Sequence, residues 1–193
     1  FQAEGSAAEA LQGYDSAWMG IELEEIELGS LSDDKKRKIL KSKNDILASR
    51  GEIYVYAAEQ FDSMSIESCY DVLKDINENI GPIDLAAFDY LEIFGAKKNF
   101  GTSEVGERGR RSYIGERITN MAVEFFLAAI SATQSADIPP EKKNNEEYVL
   151  TRHNISEFKN VIRPFSYHVT LNQTSSESDV EMLRIYCDKF RRH

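Results

Sequence analysis

Long apolar runs, cysteine, histidine and catalytic signatures are all scarce in this sequence, and each shortage excludes something. No apolar stretch reaches the roughly 18–20 residues that a bilayer-spanning helix needs. The longest apolar-rich stretch, Met121 to Ala132, is interrupted by Glu124. No signal peptide is visible, and the chain opens on Phe1-Gln2 rather than methionine. A cytoplasmic chain is expected, with a segment preceding Phe1 as the only route to a membrane. Cys69 and Cys187 are the only two cysteines. They lack metal-ligand spacing and are expected as buried thiols on helical faces, a single disulfide being the alternative in an oxidising compartment. With three histidines, one of them the terminal His193, imidazole chemistry must use His153 or His168.

Positive charge is also short. The formal charge is −10, and a chain that tracks a nucleic-acid backbone needs a basic surface to displace counterions. Lys35 to Lys38 and Arg108 to Arg111 are local exceptions, read as solvated helix ends. The glycines near Gly101, Gly106 and Gly109 form neither GxGxxG nor a Walker pattern, and no Lys-Ser/Thr follows them. GxSxG and HExxH are absent as well. The acidic pairs Glu22/Glu25 and Asp71/Asp75 lie on common helical faces but lack a histidine partner. No cofactor and no metal are expected.

What is present is apolar periodicity. Apolar residues make up 41% of the 193, enough for the core of one domain. Ala7, Leu11, Tyr14, Trp18, Ile21 and Leu28 predict a first helix over 6–28, ended by Gly29-Ser30. Ser32-Asp33-Asp34 can cap a second helix that runs from 33 to 62, in which Gly51 costs about 1 kcal/mol. Ile53-Tyr54-Val55-Tyr56 has strand composition, but the three-and-four spacing continues through it. Ile66, Cys69, Tyr70, Leu73, Ile76 and Ile80 mark a third helix, stopped by Gly81-Pro82. Leu85, Phe88, Leu91 and Phe94 mark a fourth. Thr102 or Ser103 caps a fifth with Ile114, Ile118, Met121, Phe125 and Ala129 inward, weakened at its start by Gly106, Gly109 and Gly115.

A loop over 135–147 is followed by a helix through Tyr148, Thr151, Ile155, Phe158 and Ile162. The capping-box pattern at Ser178 to Glu181 opens a last helix whose inward face is Val180, Leu183, Cys187 and Phe190. Tyr167 to Leu171 is the one stretch that can pair as a short ribbon. The fold class expected is all-α, a bundle of six or seven helices, with an N-terminal amphipathic helix over 1–30 and the bundle over 31–193.

Two segments carry resemblances. Arg163-Pro164-Phe165-Ser166-Tyr167-His168 resembles the R-x4-6-H motif of HEPN domains, helical bundles of which many are metal-independent ribonucleases. The resemblance implies His168 as general base or acid on a ribose hydroxyl and Arg163 as the phosphate-binding charge. Phe88-Asp89-Tyr90-Leu91-Glu92-Ile93-Phe94-Gly95 with Gly101 to Val105 resembles a family of bacterial helical proteins, often membrane-anchored, and implies no activity. The sequence therefore points to a non-catalytic interaction or regulatory domain with a protein partner or a second copy of itself. Tyr14, Trp18 and Ile21 are the expected partner-binding residues. The alternatives are the HEPN-like ribonuclease, with Arg163 and His168 catalytic, and an acidic inhibitor or immunity-type protein.

Overall fold

A computed structural model describes residues 1–49, 51–136, 138, 142, 145, 148–155 and 161–191. It divides into two units, Phe1–Met64 and Ser65–His193.

In the first unit, Ser6 starts α1 (Ala7–Met19) by a reciprocal cap. Its hydroxyl accepts from the Glu9 N–H at 3.2 Å, and the Ser6 N–H donates to Glu9 Oε2 at 2.7 Å. This satisfies two helix-end donors, an arrangement worth about 0.5–2 kcal/mol. The helix stops well before its expected end because Gly20 takes a left-handed φ of 59°. A separate short α2 (Leu23–Glu27) follows. Met19 and Ile21 flank the break and are buried.

Next, α3 spans Asp33–Ser49, its start held by the Ser32 hydroxyl, which accepts from the Lys35 N–H at 3.3 Å. The expected continuation to residue 62 does not occur. Residues 52–56 are not helical, and Ala57 makes a parallel bridge with Gln2. The Gln2 N–H donates to Tyr56 O at 2.8 Å, the Ala58 N–H donates to Gln2 O at 3.0 Å, and Phe1 stacks on Tyr56 at 5.8 Å. Here the β-branched and aromatic composition outweighs a spacing that happened to continue.

The second unit begins with α4 (Ile66–Asn79), capped by Ser65. Ile66, Cys69, Leu73 and Ile76 form its buried stripe, each large aliphatic side chain contributing roughly 1.5–3 kcal/mol on full burial. The chain then forms β1 (Leu85–Phe88), a 3-10 turn (Leu91–Ile93), α5 (Glu104–Glu124) and β2 (Ala128–Ser131). β1 and β2 pair in parallel, with Leu85 opposite Ala128 and Phe88 opposite Ser131. α5 supplies the crossover such a pair needs. The C-terminal part adds β3 (Tyr167–Asn172), α6 (Ser175–Ser178) and β4 (Arg184–Phe190). β3 and β4 pair antiparallel.

The described residues are therefore mixed α/β, and the all-α bundle is wrong. The expected fourth helix is β1 plus the turn. Leu91, Phe94 and Phe88 are buried as anticipated, but Leu85 is 60% exposed. The expected last helix is replaced by α6 and β4, and the reciprocal cap lies on Thr174 and Glu177 rather than Ser178 and Glu181. Val180, Leu183, Cys187 and Phe190, taken as its inward face, are all exposed. The short ribbon did form at 167–172, with 184–190 as its partner. Of the expected helix over 148–162, residues 156–160 lie outside the described residues, and 152–154 make one 3-10 turn. No helix among the described residues is long and apolar enough to cross a membrane.

The glycines of α5 are packing residues, not weak points. A Cβ at Gly106 would lie 2.2 Å from Phe100 O, and one at Gly115 would lie 2.9 Å from Val161 O. Gly106→Ala is expected to destabilise the protein by about 1–3 kcal/mol. Gly13→Ala, in the middle of α1 with open space around it, should be neutral or stabilising by up to about 1 kcal/mol. Urea unfolding of the two variants tests the contrast, and equal midpoints would refute the close approach.

Both cysteines are free thiols. Burial pushes Cys69 up to about 12, whereas Cys187 is exposed and lies on a strand, not a helix. Ellman's reagent should titrate one thiol in the native protein and two in denaturant.

Candidate functional site

Parallel strands present their carboxyl ends together, and open α/β sheets bind ligands beyond those ends. Phe88 and Ser131 are register partners at the last rung, so residues 89–93 and 132–134 leave the sheet side by side. The Ser131 hydroxyl donates to Phe88 O at 2.8 Å, and the Leu91 N–H donates to Ala132 O at 3.1 Å. Leu91 is 2% exposed and Phe94 fully buried, with Phe94 edge-on to Phe88 at 6.0 Å. These anchors fix the turn just past β1.

From α5, Arg110 reaches the same turn. Its guanidinium donates to Glu92 O at 3.0 Å and also to Phe94 O, and it pairs with Glu107 at 2.8 Å. Burial against the turn and the Arg110 donors thus depend on each other. The Arg110 hydrogen bonds also hold the Glu107 carboxyl below its usual range.

Three polar groups project from this edge. Asp89, the first residue after β1, is exposed. Glu92 is half-buried; its Oε1 accepts from the Thr133 hydroxyl, while its Oε2 is buried with no hydrogen-bond partner. Gln134 follows Thr133 and is exposed. A buried carboxylate oxygen without a donor is costly, so the orphaned Oε2 marks a place where a donor or cation fits. Carboxylate and hydroxyl oxygens suit a hard divalent cation such as Mg²⁺, which needs only one or two protein carboxylates when substrate phosphates complete its shell. No three-residue cluster of metal-ligating side chains occurs among the described residues, so an all-protein cage is not what this edge provides.

Sequence reasoning missed Asp89, Glu92, Ser131, Thr133 and Gln134. The available signal was the short run Leu85-Ala86-Ala87-Phe88 between Asp84 and Asp89. Four apolar residues bounded by aspartates are too few for a helix and suit a buried strand.

The residues that were singled out are placed elsewhere. Tyr14 and Trp18 are 45% and 59% exposed on α1, but Ile21 is 3% exposed. His168 lies on the covered face of β3, its Nδ1 3.6 Å from Asp188 Oδ2 and without a hydrogen bond. Arg163 has an exposed side chain, and its carbonyl accepts from Lys189 Nζ at 3.1 Å. Glu25 pairs with Lys35, and Asp71 lies 3.5 Å from Lys97.

The fold is one that solved ATPases use. The chain superposes on a solved helicase ATPase domain with a TM-score of 0.76 over 98% of its length, at 14% identity. A DnaB-like replicative helicase, solved for its interactions with primase, gives 0.75 over 97% at 14% identity. The chain spans 65% of the first of these chains and 44% of the second. No family model matches the sequence, and no curated protein matches it. The fold class is thus mixed α/β of the RecA-like ATPase type.

This finding overturns both resemblances drawn from the sequence, since each implied a helical protein. The HEPN-like ribonuclease falls with the bundle it requires. The non-catalytic interaction domain and the acidic inhibitor fall too, because both were inferred from an all-α chain with no enzymatic architecture.

His168 gives a pH prediction. Burial lowers its pKa from the ordinary 6.5, against the opposing pull of Asp188. The unfolded chain then binds the proton first, so stability falls as pH drops below about 6.5 toward the lower folded value. His168→Gln should flatten the loss of stability between pH 7 and 5, read as urea midpoints. An unchanged slope would place the titrating group elsewhere.

Proposed function

We propose that this chain supplies the acidic strand-end half of a nucleoside-triphosphatase site. Support comes from the orphaned, buried Glu92 Oε2 beside Asp89, at the carboxyl end of a parallel pair, in a fold shared with ATPase domains at 14% identity. In this reading Asp89 ligates the divalent cation of a metal–nucleotide complex. Glu92 accepts from a water or cation at its free oxygen, held in place by Thr133 and by the Arg110-braced turn. Such a cation, when bound, neutralises charge on the phosphates. Arg110 acts as a positioning residue, because its donors are spent on backbone carbonyls and on Glu107.

The phosphates need a cradle of backbone N–H groups or a lysine. The 193 residues contain no glycine-rich phosphate loop. The reading therefore assigns that cradle to residues outside them, and assigns nucleotide binding without turnover to the chain alone.

Titration with a fluorescent ATP analogue, with and without Mg²⁺, tests the proposal. Weak binding that Mg²⁺ strengthens is expected, with Asp89→Asn removing about tenfold of that gain, the equivalent of roughly 1.4 kcal/mol. Binding that ignores both Mg²⁺ and Asp89→Asn, or no binding at all, would overturn it.

A further inference from the structure

The β3·β4 ribbon is amphipathic the wrong way round for a ribbon on a surface. Its polar side is the covered one. Thr170, Asn172 and Lys189 are each 9% exposed or less, and the His168 and Asp188 side chains are 10% and 12% exposed. The 150–152 backbone lies along this side. The Thr170 hydroxyl donates to Leu150 O at 2.7 Å, Asn172 Oδ1 accepts from the Leu150 N–H at 2.6 Å, and Asp188 Oδ2 accepts from the Arg152 N–H at 2.6 Å. Lys189 reaches Ile162 O at 2.9 Å. Every one of these contacts commits a polar group inward.

The opposite side is apolar and open. Register places Leu171 opposite Ile185, Val169 opposite Cys187 and Tyr167 opposite Phe190. A bulge between His168 and Val169 keeps this side in phase: the extra residue, Asp188, turns inward, so that Cys187 and Phe190 share a face across an odd spacing. Tyr167, Leu171, Ile185 and Phe190 are 58%, 59%, 70% and 58% exposed. Val169 is 48% exposed, and Cys187 is exposed as well. Tyr167 and Phe190 meet edge-on at 5.0 Å. The six side chains present roughly 600 Å² without a charge, at the top of the range for the largest apolar patch on a monomer.

We propose that a second copy of this chain covers this face, the two ribbons packing face to face about a twofold axis through Val169 and Cys187. Three observations favour a second copy. The patch has an aromatic end and an aliphatic end on either side of that centre. A twofold rotation therefore lays Tyr167 and Phe190 of one copy against Leu171 and Ile185 of the other, as an isologous contact requires. Two such patches together bury about 1,200 Å², the lower bound of a specific interface. The chain carries a charge of −10, so two copies repel except through a surface free of charge. The ribbon face is such a surface, because its charged residues Arg184, Asp188 and Lys189 belong to the other side. The proposal does not depend on the nucleotide reading.

Sedimentation equilibrium on the full chain tests it, with Ile185→Lys and Leu171→Lys as variants and circular dichroism as the control for folding. A micromolar dimer is expected, tightened by added salt as the repulsion is screened and weakened at least tenfold by either variant. A short bismaleimide should link the dimer through Cys187, and Cys187→Ser should abolish the link. A monomer up to about 100 µM would overturn the proposal. So would a dimer indifferent to both lysines, or a face blocked by another element, which would leave Cys187 unreactive in the monomer.

Discussion

Parallel pairing of Leu85–Phe88 with Ala128–Ser131 is the constraint on which the second unit depends. A parallel pair cannot be joined by a tight turn, so the chain must leave one end of β1 and return to the other end of the sheet. The 21 residues of α5 make that return. Its close approach to neighbouring backbone is possible only because Gly106 and Gly115 carry no Cβ. The same geometry dictates where polar side chains can gather. Both carboxyl ends face one way, and the turn after β1 is pinned by Leu91, Phe94 and Arg110. Asp89 and Glu92 are thus brought beside Thr133 by topology, with Glu92 and Thr133 standing 41 positions apart in sequence.

That separation explains what the sequence could and could not disclose. α1, α3, α4 and α5 were legible as helices because their caps and apolar stripes are local. Ser103 caps α5 as expected, and Ile114, Ile118 and Met121 are buried as expected. Recurrence at three and four residues failed where it coincided with other structure. Phe88, Leu91 and Phe94 are spaced by three because a strand end, a 3-10 turn and an extended residue each point one side chain into the same core. Period alone does not separate that from one helical face. Gly20 was a left-handed stop read as a helix interior. The Glu92–Thr133 contact leaves no local trace, so the candidate site was invisible while its scaffold was partly readable.

The ribbon misled for a different reason. Reading helices by burying apolar residues assumes that apolar means inward. In β3 and β4 the residues that turn inward are His168, Thr170, Asn172, Asp188 and Lys189, each engaged by a backbone group or a charge. The apolar set Val169, Leu171, Ile185 and Phe190 is left outside. A pattern rule applied to one chain places those residues in its own core, which here required a helix that does not exist.

Hydrogen bonding accounts for the inversion. The 150–152 segment lies beside the ribbon without joining its ladder, so its N–H and C=O groups need side-chain partners. Thr170, Asn172 and Asp188 provide them. Were the ribbon turned over, Leu150 and Arg152 would lose those partners while burying apolar side chains against unpaired peptide groups, at a cost of about 1–3 kcal/mol for each group. Satisfying the backbone therefore takes the inward side of the ribbon. The apolar side is then excluded from this chain's own core, whatever finally covers it.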